Sequence, residues 1–160
     1  MIAGKQPESP AGRDSKAQPI IVLTRSFPAL ADTVREILIL MTERLRLHTT
    51  TDLLGRAELV LAELLNNVAQ HGRAHSADPA PIVHLSVVAQ PDGLACSVSD
   101  DGGLLPSICL NSPPPDPRND PEGGFGWFLI GHLTQSLIYF REGERNYVAF
   151  TIPLHPSKAA

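Results

Sequence analysis

The sequence predicts an α+β fold of two layers, in which helices cover one face of a mainly antiparallel sheet. Two observations support this prediction. In the N-terminal half, apolar residues recur at three- and four-residue intervals, as amphipathic helices require. In the C-terminal half, β-rich segments come in two pairs, each joined by a short turn that is typical of hairpins. Hairpin strands are antiparallel, and amphipathic helices bury their apolar side on such a sheet.

The domain is predicted to cover residues 19–156. Residues 1–18 are polar and rich in Pro, Gly and Ser, so we expect a flexible tail. A β-branched run from Pro19 to Ser26 predicts the first strand, and residues 29–47 predict an amphipathic helix.

The second helix is predicted to end at about His71. Thr50, Thr51 and Asp52 are typical N-cap residues. The apolar residues of this helix form one stripe: Leu53, Ala57, Val60, Leu61, Leu64, Leu65 and Val68.

The C-terminal half predicts two hairpins separated by a loop and a helix. Residues 82–89 and 94–99 flank the turn Pro91-Asp-Gly93, and residues 136–141 and 147–154 form the second pair. Between the pairs, residues 107–122 are rich in proline without periodicity, which is typical of a functional lid or a disordered loop. An apolar helical run follows and reaches Leu133.

Composition excludes several classes of protein. The net charge of −4 comes without a basic cluster, so no nucleic-acid partner is predicted. No apolar run has the length of a membrane span, and the N-terminus lacks the pattern of a signal peptide. Two cysteines predict neither a metal site nor a disulfide framework. These features favour a cytoplasmic protein. His71 and His75 are four residues apart, but Gly72 is expected to end the helix between them, which disfavours a metal site.

Three polar residues stand out at one edge of the second helix. Glu63, Asn67 and His71 are spaced four apart, so they lie in one line beside the apolar stripe. Taken alone, the triplet is best explained as a solvated helix edge. As a site, it offers a carboxylate that can act as a base and a carboxamide oxygen that suits Mg²⁺.

Two glycine-containing segments complete the candidate site. Asp100, at a strand end before Gly102, is either a turn residue or, if buried, an acceptor for an exocyclic amine. The segment Gly123-Gly-Phe-Gly126 opens a helix, where free N–H groups favour an anion, or it merely forms a turn. Neither the Walker phosphate loop nor the Rossmann fingerprint fits this segment.

Together the three motifs resemble a known superfamily. Glu63-x-x-x-Asn67-x-x-x-His71, Asp100-x-Gly102 and Gly124-x-Gly126 resemble, in this order, the N, G1 and G2 boxes of the GHKL ATPases. The resemblance covers residues 20–154 and implies the Bergerat α/β sandwich. It is closest to the RsbW-like anti-sigma-factor serine kinases, because the chain leaves no room for a phosphoacceptor-histidine helix or a transducer domain.

The resemblance implies ATP and Mg²⁺ as cofactors. It makes Glu63 the general base and Asn67 the contact to Mg²⁺. The other residues implied to bind the nucleotide are Asp100 and Gly102 at adenine, Gly124 and Gly126 at the phosphates, Arg118 in a lid of residues 107–122, and His71 at the pocket edge.

The function implied is that of an ATP-dependent serine/threonine-protein kinase and anti-sigma factor. Its expected partners are a STAS-type antagonist, which it phosphorylates, and a sigma factor, which it sequesters. Dimerisation is common in the resembled family, which makes a homodimer one expectation. Leu104 replaces the second glycine of the G1 box, and this motivates the alternative of a non-catalytic, nucleotide-tuned partner-binding regulator. A third reading is an interaction domain that has lost ATP.

Overall fold

The computed structural model describes residues 17–104 and 125–156. This part contains five strands and three helices, in the order β1 (Ile20–Pro28), α1 (Ala31–Leu45), α2 (Thr51–His71), β2 (Ile82–Gln90), β3 (Gly93–Asp100), α3 (Phe125–Leu133), β4 (Gln135–Glu142) and β5 (Arg145–Pro153). The element order and the two hairpins agree with the prediction. The predicted tail lies mostly, and the lid entirely, outside the described residues, and the domain limits stay a prediction.

The five strands form one antiparallel sheet in the order β1-β2-β3-β5-β4. The β2–β3 hairpin pairs Val83 with Asp100 at its open end, and β3 pairs Asp100 in turn with Asn146 of β5. The β4–β5 hairpin turns at Gly143, whose φ of 59° suits glycine. The central pairing of β3 with β5 therefore joins the two hairpins and brings Asp100 beside the second one.

The helices cover one face of this sheet, with α1 against β1 and α2 against β5. All seven residues of the predicted apolar stripe on α2 are buried. The side chain of Thr50 caps α2 by accepting from the Leu53 N–H at 3.2 Å. Helix α2 ends at His71, and the N–H of Gly72 donates to the Val68 carbonyl at 2.8 Å. The predicted two-layer α+β fold is confirmed.

The buried side chain of Arg56 links α2 to the end of β5 by hydrogen bonds. Arg56 is 9% exposed and donates to the carbonyls of Pro153 and Leu154 at 2.7 and 2.9 Å. Its Nε also donates to Asp52 at 3.0 Å. The charge is thus matched by three acceptors, as a buried guanidinium requires.

Within residues 17–104 and 125–156, no helix is both long enough and apolar enough to cross a membrane.

Candidate active site

The polar edge of α2 lies where the start of α3 and the end of β3 approach the helix. Glu63 and Asn67 are half-buried, whereas His71, on the last turn, is exposed. The helical spacing that the sequence predicts is therefore present. Glu63 and Asn67 are therefore more buried than the residues of an ordinary solvated helix edge.

Glu63 contacts the start of α3. A Cβ atom added to Gly126 would collide with the Glu63 carboxylate, and its three nearest atoms would all belong to that side chain. No hydrogen bond or ion pair engages this carboxylate within the part of the chain that the structure describes. The absence of a side chain at Gly126 thus leaves a free carboxylate at the N-terminal end of a helix, where partial positive charge favours anions.

Asn67 carries a buried polar atom without a partner. Among the described residues, its Nδ2 and the Thr49 Oγ1 are the buried side-chain polar atoms that make no hydrogen bond. A buried amide group without a partner costs free energy comparable to a lost hydrogen bond. Because a carboxamide carries both donors and an acceptor, Asn67 can offer either to a ligand at this position.

Asp100 is 2% exposed at the end of β3. Its Oδ1 accepts from the N–H of Gly102 at 2.9 Å and from Asn146 Nδ2 at 3.1 Å. Oδ2 has no hydrogen-bond partner among the described residues. The turn reading is confirmed for Oδ1, whereas the role of Asp100 as an acceptor for an exocyclic amine stays a prediction. Burial raises the pKa of this carboxyl group, while the hydrogen bonds from Asn146 and Gly102 lower it.

Gly102 and Gly103 pack the loop after β3 onto the end of α2. A Cβ at Gly102 would lie 2.9 Å from the Gly72 carbonyl oxygen, and the N–H of Gly103 donates to that oxygen at 3.0 Å. Neither glycine has a positive φ, so close backbone contact is the reason for glycine at 102. This contact holds Asp100 near the helix that carries Asn67.

A family profile matches residues 27–152, and its description is histidine kinase-like ATPase domain. The match covers well over half of the 160 residues. The chain belongs to this ATPase family. A search of curated proteins found no match. Membership implies ATP binding, usually with Mg²⁺. In this ATPase domain, Glu63 and Asn67 lie in the C-terminal half of α2, and the loop that follows Asp100 packs on Gly72 at the end of that helix.

The residues present fit that ligand. Among the described residues, Asp100 offers a carboxylate oxygen without a hydrogen-bond partner, Asn67 offers a buried, unpaired amide nitrogen, and the Glu63 carboxylate lies against the start of α3. Within the described ranges, no cluster of three His, Cys, Asp or Glu residues can hold a metal ion by itself. A magnesium ion needs no such cluster when phosphate oxygens supply several of its ligands.

Several predicted residues are not brought into this site or lie outside the description. Gly124, Arg118 and the predicted lid fall outside the described residues. His71 is exposed and its side chain makes no hydrogen bond in the described part of the chain. A groove of about 690 Å³ is lined by residues of α1 and α2, and Asp100 is not among them. A groove of about 430 Å³ adjoins Gly102 and Gly103.

Sequence reasoning missed the polar network behind Asp100. Asn146 is fully buried in the ATPase domain and joins Asp100 to Tyr139 and Arg141. One signal was available, because Asn146 shares the inward-facing alternation of β5 with Val148, Phe150 and Ile152. A polar residue on an otherwise apolar strand face indicates a specific partner.

Proposed function

We propose that the protein is an ATP-dependent serine/threonine-protein kinase that also acts as an anti-sigma factor in a partner-switching system. The contact between Glu63 and Gly126 carries the enzymatic part of this proposal. At this contact, a carboxylate without a hydrogen-bond partner among the described residues lies next to Gly126, which by the resemblance meets the phosphates. A protein that only bound nucleotide would have no need of an unpaired carboxylate at that place.

Recognition of the nucleotide is assigned to Asp100 and Asn67. The unpaired Oδ2 of Asp100 accepts a hydrogen bond from the exocyclic amine of adenine, in a buried setting where a hydrogen bond to a charged group is worth about 1.5–3 kcal/mol. The carboxamide oxygen of Asn67 would be a ligand of Mg²⁺. Bound Mg²⁺ would neutralise charge on the β- and γ-phosphates.

Glu63 acts as the general base of the proposed transfer. It takes the proton of a serine or threonine hydroxyl as the hydroxyl oxygen forms a bond to the γ-phosphorus of ATP. The bond between the γ-phosphorus and the bridging oxygen breaks, and ADP leaves with that oxygen. Transfer of a proton to a positioned carboxylate contributes typically 10²–10⁴-fold to the rate.

The proposed substrate is a STAS-type antagonist, and the proposed target of sequestration is a sigma factor. Support for these partners comes from the order and spacing of the three motifs, which most resemble those of the small anti-sigma-factor kinases. A homodimer is proposed on the same ground.

Calorimetry with Mg-ATP tests the first step. We expect the wild type to bind Mg-ATP and Asp100→Asn to bind it ten- to hundredfold more weakly. In Asn67→Ala, Mg²⁺ should no longer increase the affinity for ATP. The exposed Asn66, next to Asn67 but on another side of α2, offers the matched control Asn66→Ala, which should bind as the wild type does. Absence of ATP binding by the wild type would refute the proposal.

Phosphotransfer tests the second step. Labelled ATP and the STAS-domain proteins of the source organism should give a phosphorylated antagonist with the wild type. Glu63→Gln should keep its affinity for ATP and lose at least about 100-fold in transfer rate. Binding of ATP without transfer to any antagonist would favour the non-catalytic partner-binding regulator instead.

A further inference from the structure

The side chain of Asn146 uses all of its hydrogen-bonding capacity. Its Nδ2 donates to Asp100 Oδ1 at 3.1 Å and to the Gly103 carbonyl at 2.8 Å. Its Oδ1 accepts from the Tyr139 hydroxyl at 2.8 Å and from Arg141 Nη1 at 2.9 Å. A carboxamide has two donor hydrogens and two acceptor lone pairs. Because Tyr139 and Arg141 hold the oxygen, the amide cannot turn over, and its nitrogen must face Asp100.

This arrangement restrains the Asp100 carboxylate. Two donors, the Gly102 N–H and Asn146 Nδ2, converge on Oδ1, so rotation of the carboxylate would break both bonds. Oδ2 is thereby held toward the side where no described residue bonds to it. Satisfied buried networks of this kind make a site rigid, whereas an unsatisfied member would be costly.

The network also holds the backbone of the loop that follows Asp100. Arg141 donates from the same Nη1 to the Gly102 carbonyl at 2.9 Å, and Asn146 donates to the Gly103 carbonyl. The β4–β5 hairpin therefore holds both the side chain of Asp100 and the loop that packs on Gly72. Asn146 is at the centre of this network, with no exposed surface.

We propose that Asn146 is a positioning residue: it orients Asp100 Oδ2 toward the 6-amino group of the base, and thereby sets the preference for a 6-aminopurine nucleotide. This inference rests on the proposed ATP binding. An apolar residue at position 146 could also be buried on this face of β5, as Val148 and Phe150 are at their own positions. What such a residue cannot supply is a donor that restrains Oδ1.

The test compares two nucleotides that differ only in the amine. ATP and purine riboside triphosphate, which lacks the 6-amino group, are titrated calorimetrically into the wild type, Asn146→Leu and Ile152→Val. In the wild type we expect ATP to bind ten- to hundredfold more tightly. In Asn146→Leu the ratio of the two dissociation constants should fall to within threefold of one, chiefly through weaker binding of ATP.

The control separates positioning from a general loss of stability. Ile152 is buried on the same strand face, at the far end of β5 from Asp100. Ile152→Val should therefore lower stability and keep the wild-type ratio of dissociation constants. A merely structural role for Asn146 would weaken both nucleotides equally. An Asn146→Leu variant that keeps the wild-type ratio would overturn the inference.

A second variant covers the case in which Asn146→Leu does not fold. Tyr139→Phe removes only a hydroxyl from a half-buried side chain, and should reduce the ratio two- to fivefold because Asn146 is then held by one donor fewer. An unchanged ratio in Tyr139→Phe would contradict the proposal. A wild type that binds both nucleotides equally would refute the role of Asn146 and leave ATP binding intact, whereas a wild type that binds neither would refute the proposed function itself.

Discussion

Substitution of Gly126 by alanine is predicted to slow phosphotransfer without unfolding the protein. The new methyl group would occupy space held by the Glu63 carboxylate, whose atoms are the three nearest to the added Cβ. Because a glutamate side chain is flexible and half-buried, it can give way at little cost to the fold. The carboxylate would then leave the position from which it is proposed to take the hydroxyl proton.

The size of the effect follows from the displacement. To restore ordinary van der Waals separation, the nearest carboxylate oxygen must retreat by about 1 Å. A misplacement of roughly 1 Å can cost about 100-fold in rate, equivalent to about 2.7 kcal/mol in the activation free energy. We therefore expect kcat for transfer to the antagonist to fall by about two orders of magnitude.

Gly131 in the same helix provides the matched control. A Cβ added there meets no atom within 4 Å, so Gly131→Ala should gain up to about 1 kcal/mol in stability from helix propensity and keep the wild-type kcat. Single-turnover transfer, with chemical denaturation of each variant, measures both quantities. A Gly126→Ala protein that keeps the wild-type kcat would refute the role given to Glu63.

Three further perturbations test the framework around the site. Arg56→Met should lower the free energy of unfolding by about 2–4 kcal/mol, because the carbonyls of Pro153 and Leu154 lose a charged donor; thermal unfolding should show a midpoint roughly 5–15 °C lower, and an unchanged midpoint would contradict the account. Asp100 has a folded pKa above its ordinary value of 3.8, so the folded state binds more protons and the wild type loses stability as pH rises from about 3.8 through that raised pKa. Asp100→Asn should abolish this pH dependence of the free energy of unfolding, measured by denaturant unfolding between pH 3.5 and 7. A pH dependence that persists in the variant would come from another group. Burial raises the pKa of Cys96 to about 12, so in a Cys109→Ser background a thiol reagent at pH 8 should label the native protein at least about 1,000-fold more slowly than the unfolded chain; rapid native labelling would show that Cys96 is accessible.

Local patterns were enough to identify the elements and much of the candidate site. The three- and four-residue spacing of the α2 stripe depends only on helix geometry, and all of its members are buried. The cap at Thr50 and the end at Gly72 depend on residues within one turn of each other. Glu63, Asn67 and Asp100 were recognisable because residue type and short spacing together mark a motif.

The sequence by itself determined the helices, the hairpins and the residue types of the site, since each depends on interactions within a few positions. Only the tertiary structure decided that Glu63 faces Gly126, that Gly102 packs on Gly72, and that Asn146 restrains Asp100. Those contacts join residues 30 to 63 positions apart. They exist because β3 pairs with β5 and α3 packs on α2. Both arrangements bury apolar faces, and a local pattern does not say which of several distant segments will cover a given face.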